Sequence, residues 1–341
     1  MSKKVLITGG AGFIGSNLAD RLIRSGDKVT VLDNLSRRGT EKNLKWLEEN
    51  HSGKFQFING DIRNHETCLS ACKGMEVIYH LAGQVAVTTS VEKPREDFDI
   101  NLLGTFNMLE GARNSGNDPL FLFTSTNKVY GGMEDAVIIE NNNRYEYRDL
   151  PDGVSEERIL DFHSPYGCSK GGADQYVRDY SRIYGIRSVV FRMSCIYGRR
   201  QFGNEDQGWV AHFIISSSFG RPLTIYGDGK QIRDILFVDD LVRAFSLAVK
   251  NINQTVGNIY NIGGGSGNTL SLLELVSMIE NKLGKKINPA LSEWRPGDQQ
   301  VYVSNSAKAY ADFQWKPEID AKKGIELLFE WVESNKQLFD I

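Results

Sequence analysis

What the chain lacks narrows its possible functions first. No apolar run in its 341 residues approaches the roughly 20 residues of a membrane span, so a membrane protein is not expected. Basic residues show no excess: 40 Lys and Arg stand against 43 Asp and Glu, a net charge of −3. A general nucleic-acid binder would carry a basic surface, so nucleic acid is set aside as a partner. Only four cysteines occur, Cys68, Cys72, Cys168 and Cys195, and they are scattered. Cys68 and Cys72 share a helix face, but no second pair or nearby histidine completes a zinc site, so no metal is expected and all four read as reduced thiols. Repeats, low-complexity segments and an N-terminal signal core are missing as well; MSKKVLITGG enters a strand at once. These absences lead to the expectation of a cytoplasmic protein, long enough to bury a large core in one large or two smaller domains.

Lys4–Thr8 (KVLIT) is a β-branched run that reads as a buried strand. It leads into Gly9, Gly12 and Gly15 in the spacing G-x-x-G-x-x-G, and then into a helix with Ile14, Leu18, Leu22 and Ile23 on one face. Glycines let the backbone approach a pyrophosphate, and a helix N-terminus offers free N–H donors and partial positive charge. The next strand, Val29–Asp33, ends in a carboxylate eighteen residues after Gly15, close to the offset of about 20 for the group that binds the adenosine ribose. Asp33 would repel a 2′-phosphate, which favours NAD over NADP. Arg37 and Arg38 could meet such a phosphate, lie on the dinucleotide phosphates, or face solvent.

Further strands follow at Lys54–Ile58, Val77–Leu81 and Leu120–Thr124, with helices near Thr40–Glu49 and Arg95–Ser115. Alternation of strand and helix predicts a doubly wound parallel sheet, an α/β Rossmann fold with its ligand at the carboxyl ends of the strands. Asp61 could accept the adenine amino group or simply shape a turn. His80, inside an apolar strand, reads as a core histidine. Thr124, Ser125 and Thr126 place hydroxyls where the ligand crevice should be. Downstream, LDFHSPYGCSKGG carries Ser164 and Pro165 as a helix start, with Tyr166 and Lys170 one turn apart on the same face. A tyrosine beside an ammonium is a plausible acid/base for a sugar hydroxyl.

These motifs, together with His80-Leu81-Ala82, TSTNKVYG, Phe191-Arg192, Arg233-Asp234 and Arg295-Pro296-Gly297-Asp298, resemble the extended short-chain dehydrogenase/reductase family over essentially the whole chain. The resemblance implies a Rossmann domain over 1–192, with returns near 234–262. It also implies a smaller C-terminal α/β nucleotide-sugar domain over 193–233 and 263–341. It implies tightly bound NAD held by Gly9, Gly12, Phe13, Ile14 and Gly15, by Asp33, Asn34, Ser36 and Arg37, and by Asp61 and Ile62. Leu81, Ala82, Gln84, Asn101 and Thr124 complete the cofactor set with Tyr166 and Lys170. Thr126, helped by Ser125, would align the substrate hydroxyl. A homo-oligomer, dimer or tetramer, is the family expectation. Dehydratases of this fold carry an Asp-Glu pair just after the threonine; here those positions are Asn127 and Lys128, which disfavours a lyase.

Within the family, STNKVYGG, NRY, LDFHSPYGCSKG, RQFG and DQGWV are similar to the CDP-tyvelose (CDP-paratose) 2-epimerases. That similarity implies transient oxidation at C2 of a CDP-sugar. Tyr166 as phenolate would take the hydroxyl proton while Lys170 holds its pKa down, and re-reduction would come from the opposite face. A 4-epimerase acting on a UDP- or other nucleotide sugar is the competing expectation. Trp209–Phe219 reads as a helix lining the nucleotide pocket. Arg233 and Arg295 are the candidates for the diphosphate. Asn127, His163, Gln207, Val210 and Asp298 complete the expected substrate contacts. Near the C-terminus, Ile325, Leu328, Phe329 and Trp331 form an apolar stripe on a helix over Ala321–Asn335, expected to be core.

Overall fold

The apolar runs each become a strand because β-branched and aromatic side chains suit a pleated surface buried on both faces. The computed structural model describes residues 2–295 and 297–339. Seven strands form one sheet: β1 (Lys4–Thr8), β2 (Lys28–Asp33), β3 (Phe55–Asn59), β4 (Val77–His80), β5 (Leu120–Thr126), β6 (Ser188–Met193) and β7 (Ile259–Ile262). Their order is β7-β6-β5-β4-β1-β2-β3, and every neighbouring pair is parallel. The order reverses between β1 and β4, and a crevice opens there at the carboxyl ends. This is the Rossmann architecture expected from the sequence.

One face of the sheet packs under the helices Phe13–Arg24 and Val238–Lys250 through Leu18, Leu22, Leu241 and Phe245. The other packs under His65–Cys72, Gly104–Arg113 and Ser164–Tyr184 through Cys68, Met108, Leu109 and Val177. Full burial of each such apolar side chain contributes about 1.5–3 kcal/mol. His80 lies between the layers with no exposure; its Nδ1 is 2.7 Å from Thr8 Oγ1 and its Nε2 is 3.0 Å from Thr105 Oγ1. Burial and the nearby Lys170 charge lower its pKa to about 3, so it is the neutral core histidine expected.

The helix expected near Arg95–Ser115 is present as a continuous run, Pro94–Phe98, a π-turn at Asp99–Leu103 and Gly104–Arg113, and a separate short piece, Val87–Glu92, precedes it. Lys93 cannot hold helical dihedrals before Pro94, with φ −132° and ψ 61°, so the first piece stops there. Thr224–Tyr226 and Ile232–Phe237 are strands on either side of Gly227-Asp228-Gly229, and they do not pair with each other. Thr224–Tyr226 pairs with Ala290–Ser292. Ile232–Phe237 pairs instead with Thr269–Ser271, Val301–Tyr302 and Cys195–Tyr197. It thus anchors a second, four-stranded sheet facing the crevice from the other side.

The segment between Gly131 and Pro165 contributes a hairpin, Ile138–Asn141 with Arg144–Tyr147, laid on that second sheet. Tyr145 donates its backbone N–H to Lys230 O at 2.9 Å and its hydroxyl to Asp228 at 2.5 Å, and Tyr147 donates to Val301 O at 2.7 Å. The last long helix, Ala321–Ser334, buries Ile325, Leu328 and Phe329 as expected, with Trp331 packed against the same core. Among the described residues no helix is long and apolar enough to cross a membrane.

Candidate active site

The glycine loop is shaped for close approach. A Cβ at Gly15 would lie 2.2 Å from Gly9 O, and one at Gly9, where φ is +66°, would lie 2.8 Å from Ala82 N. The helix Phe13–Arg24 starts at Gly12 with no side-chain cap, so its first N–H groups point out of the loop uncapped. Asp33, 8% exposed at the end of β2, accepts from Ala11 N–H at 3.1 Å and Leu35 N–H at 2.9 Å. Those bonds fix its carboxylate beside the loop, although burial leaves its pKa above the ordinary value. A bare backbone cradle, an uncapped helix start and a buried carboxylate fit a dinucleotide with a free 2′-hydroxyl.

The rim residues are arranged less simply. Asn34 holds Ser36 through its side-chain oxygen and donates to Asp61 at 2.9 Å. Asp61 also accepts three hydrogen bonds from Arg63, whose guanidinium holds the carboxyl at about 2. All four acceptor positions of Asp61 are therefore taken within the protein, which favours the turn-shaping alternative over the adenine one. Ile62 belongs to the core and gives its carbonyl to Asn107 at 3.0 Å. Arg37 turns away from Asp33 and donates to Gln207 Oε1 at 2.8 Å, and Arg38 borders a separate cavity beside Phe202.

Beyond β4, Ala82 N–H donates to Thr8 Oγ1 at 3.2 Å, next to the partly buried Leu81. Gln84 N–H donates to Asn101 Oδ1 at 2.9 Å. Asn101 sits on the π-turn, a distortion that is frequent at functional sites, and donates to Asp97 at 3.0 Å and Ser169 at 3.3 Å. Asp97, 1% exposed, also accepts from Gln84 Nε2 at 3.0 Å and from Ser169 Oγ. This network ties the loop after β4, the π-turn and the helix Ser164–Tyr184 together. Asp97 and Ser169 were missed from the sequence, and only the SK of the YGCSK run hinted at either.

Tyr166 and Lys170 sit on that helix as expected. Ser164 caps it, its Oγ accepting from Gly167 N–H at 3.2 Å, but its backbone is left-handed at φ 81°. Tyr166 is 7% exposed, and burial pushes its hydroxyl up to about 12, against the pull of the Thr126 hydrogen bond and the Arg37 charge. Lys170 Nζ donates to Thr124 O at 2.6 Å and lies 4.2 Å from the Phe123 ring centre. Burial lowers this ammonium to about 7, with Asp174 and Asp97 opposing. Thr126 and Arg37 pull the Tyr166 hydroxyl down without overcoming its burial, and Lys170 is engaged at the strand end. Ser125 Oγ is buried without a partner, and Ser125, Thr126 and Tyr166 all line one cavity of about 350 Å³.

The same cavity is bounded on its far side by Gln207, Val210, Arg233, Arg295 and Asp298, bringing those expected substrate residues together; Phe13, Ile14 and Asn127 border it too. Pro296 of the same motif lies outside the described residues. Arg233, 7% exposed, pairs with Asp298 at 2.5 Å. Burial would raise the Asp298 carboxyl, but Arg233 and Lys128 together hold it below the ordinary value. Arg295 stacks 3.8 Å above the Tyr226 ring and donates to Glu205 O at 3.0 Å. His163 is not brought in. It is exposed, with Nδ1 beside Gly132, and does not line the cavity. Lys128, Thr88, Cys195, Tyr226 and Gln231 line the cavity without having been singled out as site residues. Lys128 was inside a recognised motif; Thr88 had no local signal. Among the described residues no cluster of three or more His, Cys, Asp or Glu could hold a metal.

A glycine cradle ending in a buried Asp, and Thr126 and Tyr166 facing a sugar-sized cavity with Lys170 one turn along the same helix, define a class of NAD-dependent oxidoreductive enzymes built on the Rossmann fold. Comparison with known proteins narrows this. The GDP-mannose 4,6 dehydratase family matches residues 6–328, and the chain belongs to that family, a branch of the extended short-chain dehydrogenases/reductases. It is 44% identical to a CDP-paratose 2-epimerase of Salmonella typhi, covering 97% of this chain and 99% of that one. It is 32% identical to a UDP-glucose 4-epimerase of Mycolicibacterium smegmatis, covering 98% and 100%. Among solved structures, the UDP-glucuronic acid 4-epimerase of Bacillus cereus, in complex with UDP-glucuronic acid and NAD, superposes with a TM-score of 0.84 at 29% identity, covering 98% and 100%. The protein is an NAD-dependent nucleotide-sugar epimerase, an isomerase.

Proposed function

We propose that this epimerase inverts C2 of a CDP-hexose of the paratose type, through a 2-keto sugar. The observation that carries the reading is the wall next to the Thr–Tyr–Lys set. Asn127 and Lys128 occupy the two positions where a dehydratase needs an acid and a base, so oxidation and re-reduction are the chemistry left. The relative that is 44% identical supports C2 and CDP.

In this reading NAD, held along Gly9–Gly15 and by Asp33, supplies the hydride acceptor and returns the hydride. Thr126 orients the reacting hydroxyl and Tyr166 takes and returns its proton. Burial of Tyr166, Ser125 and Lys170 excludes water while the ketone exists. Lys170 fixes the end of β5 through Thr124 and supplies positive charge near the transferred proton. Arg233 and Arg295 hold the diphosphate, and the sugar turns between the two transfers. The chain divides by labour: 1–192 with 234–262 carries the cofactor, and the remainder carries the nucleotide sugar. A homo-oligomer is part of the reading. The helices Gly104–Arg113 and Ser164–Tyr184 expose Phe106, Tyr176, Ile183 and Tyr184, an apolar face that a second copy would cover. A cytoplasmic compartment is part of it too, with all four cysteines as thiols.

The test is product stereochemistry by NMR. Protein without added NAD is mixed in turn with CDP-paratose, CDP-glucose, GDP-glucose and UDP-glucose, with Tyr166→Phe as control. Inversion at C2 with retention of the C2 hydrogen, lost in the variant, is expected with a CDP-sugar. Inversion at C4 would replace the reading by a 4-epimerase.

A further inference from the structure

Lys128 brings an ammonium to the cavity wall beside Thr126. Lys128 follows Thr126 by two residues in the turn Asn127–Tyr130, and its backbone N–H donates to Thr126 Oγ1 at 3.2 Å. The threonine hydroxyl, the Asn127 amide and the Lys128 ammonium therefore leave one tight turn and face the same space.

The neighbours of the ammonium hold it loosely. Nζ lies 3.4 Å from Gly297 O, 3.4 Å from Gln299 Oε1 and 3.7 Å from Asp298 Oδ1. A saturated ammonium makes bonds of about 2.7–2.9 Å to charged acceptors. The nearer oxygen of the carboxylate it could use is already taken by Arg233 at 2.5 Å, and Gln299 Oε1 is shared with Asn127 Nδ2 at 3.4 Å. Burial and the Arg233 charge lower Lys128 to about 8, opposed by Asp298 and Cys195, so it stays mostly charged at neutral pH without a short bond. Three donors, no short partner and a place on the cavity wall leave capacity for an incoming oxygen.

We propose that Lys128 is a further substrate-contacting residue, whose ammonium donates a hydrogen bond to an oxygen of the hexose ring and keeps the keto sugar in the site between the two hydride transfers. The inference rests on the epimerase reading. Lys128 exchanges no proton in it: the C–H electron pair leaves as hydride, the O–H proton goes to Tyr166, and both return. A merely structural lysine would only tie the turn Asn127–Tyr130 to the loop 297–299.

The experiment uses NAD-loaded protein and compares Lys128→Met and Lys128→Arg, each also in a Tyr166→Phe background that holds substrate unreacted. Binding of CDP and of CDP-glucose is measured by calorimetry. Lys128→Met should weaken CDP-glucose about tenfold or more, the loss of one hydrogen bond to a charged group, while CDP changes less than about twofold. Lys128→Arg should keep most of the difference. During turnover Lys128→Met should accumulate reduced cofactor at 340 nm and release keto sugar that borodeuteride traps. Equal weakening of CDP and CDP-glucose, no weakening of either, or turnover without escaped keto sugar overturns the proposal. If Lys128→Met does not fold, Lys128→Gln carries the binding comparison. If the wild type inverts a UDP-hexose at C4, the C2 reading falls, and the same measurements with UDP and UDP-glucose still decide Lys128.

Discussion

Arg192 and Lys170 are both buried cations within the same layer, one on β6 and the other on the helix packed against it, and they are treated in opposite ways. Arg192 forms a two-pronged pair with Asp174 at 2.9 and 3.0 Å, with 3% and 0% of the side chains exposed. Its third nitrogen is used as well, Nη1 donating to Tyr130 OH at 3.1 Å. Asp174 and Tyr130 outweigh its burial and hold the guanidinium above its ordinary value. Lys170, one helical turn before Asp174, receives no carboxylate of its own and falls to about 7. A buried charge whose partners are complete is part of the scaffold, and one left with a single backbone acceptor is available for chemistry.

Substitutions should separate the two. Lys170→Met and Tyr166→Phe should each lower kcat by about 10²–10⁴, the range for loss of acid/base groups, while urea unfolding at pH 7 stays as good as in the wild type. Arg192→Met should do the reverse. It strands Asp174 without a partner and should cost about 3–5 kcal/mol in the same unfolding experiment, with kcat per folded molecule unchanged in the cold. Replacing both, Asp174→Leu with Arg192→Met, should recover most of that loss.

Acidity sharpens the contrast. Lys170 and Lys128 sit at about 7 and about 8 in the folded chain against an ordinary 10.5. Between pH 7 and 8.5 the unfolded chain therefore binds more protons than the folded one, and stability rises with pH. The rise is at most about 1.4 kcal/mol per pH unit for each lysine. Lys170→Met should flatten it, and Arg192→Met should not; urea midpoints at the two pH values decide. Above about pH 9 the buried thiols and tyrosines, whose values are raised, reverse the slope. The smallest effect is expected from Arg37→Ala, which removes the exposed bond to Gln207 and the weaker of the two pulls on Tyr166, and should raise KM by about two- to tenfold with kcat lowered by less than about threefold.

The first five strands of the sheet were legible because each is a short apolar run with its own boundary signal, and because Gly15 and Asp33 stand at a spacing that a βαβ unit imposes. Tyr166 and Lys170 were legible for a similar reason, being one turn apart behind a serine and a proline. The Asp97–Asn101–Gln84–Ser169 network was not, since its members come from separated segments and satisfy one another only after folding. The saturation of Asp61 was within reach, as Arg63 is two residues on. The exposure of His163 was not, because a histidine next to a helix start can face either way.

The helix Val238–Lys250 packs beside the helix behind the glycine loop, and β7 closes the sheet edge against β6. On the ribosome, then, the first domain to be started cannot be the first to be finished. Leu18 and Leu22 stay without their full cover until Leu241 and Phe245 have been made, and β6 keeps an open edge until residue 262 emerges. So long a wait between partners predicts slow, late consolidation of the cofactor cradle during synthesis, with the nascent sheet edge exposed to wrong pairings in the interval.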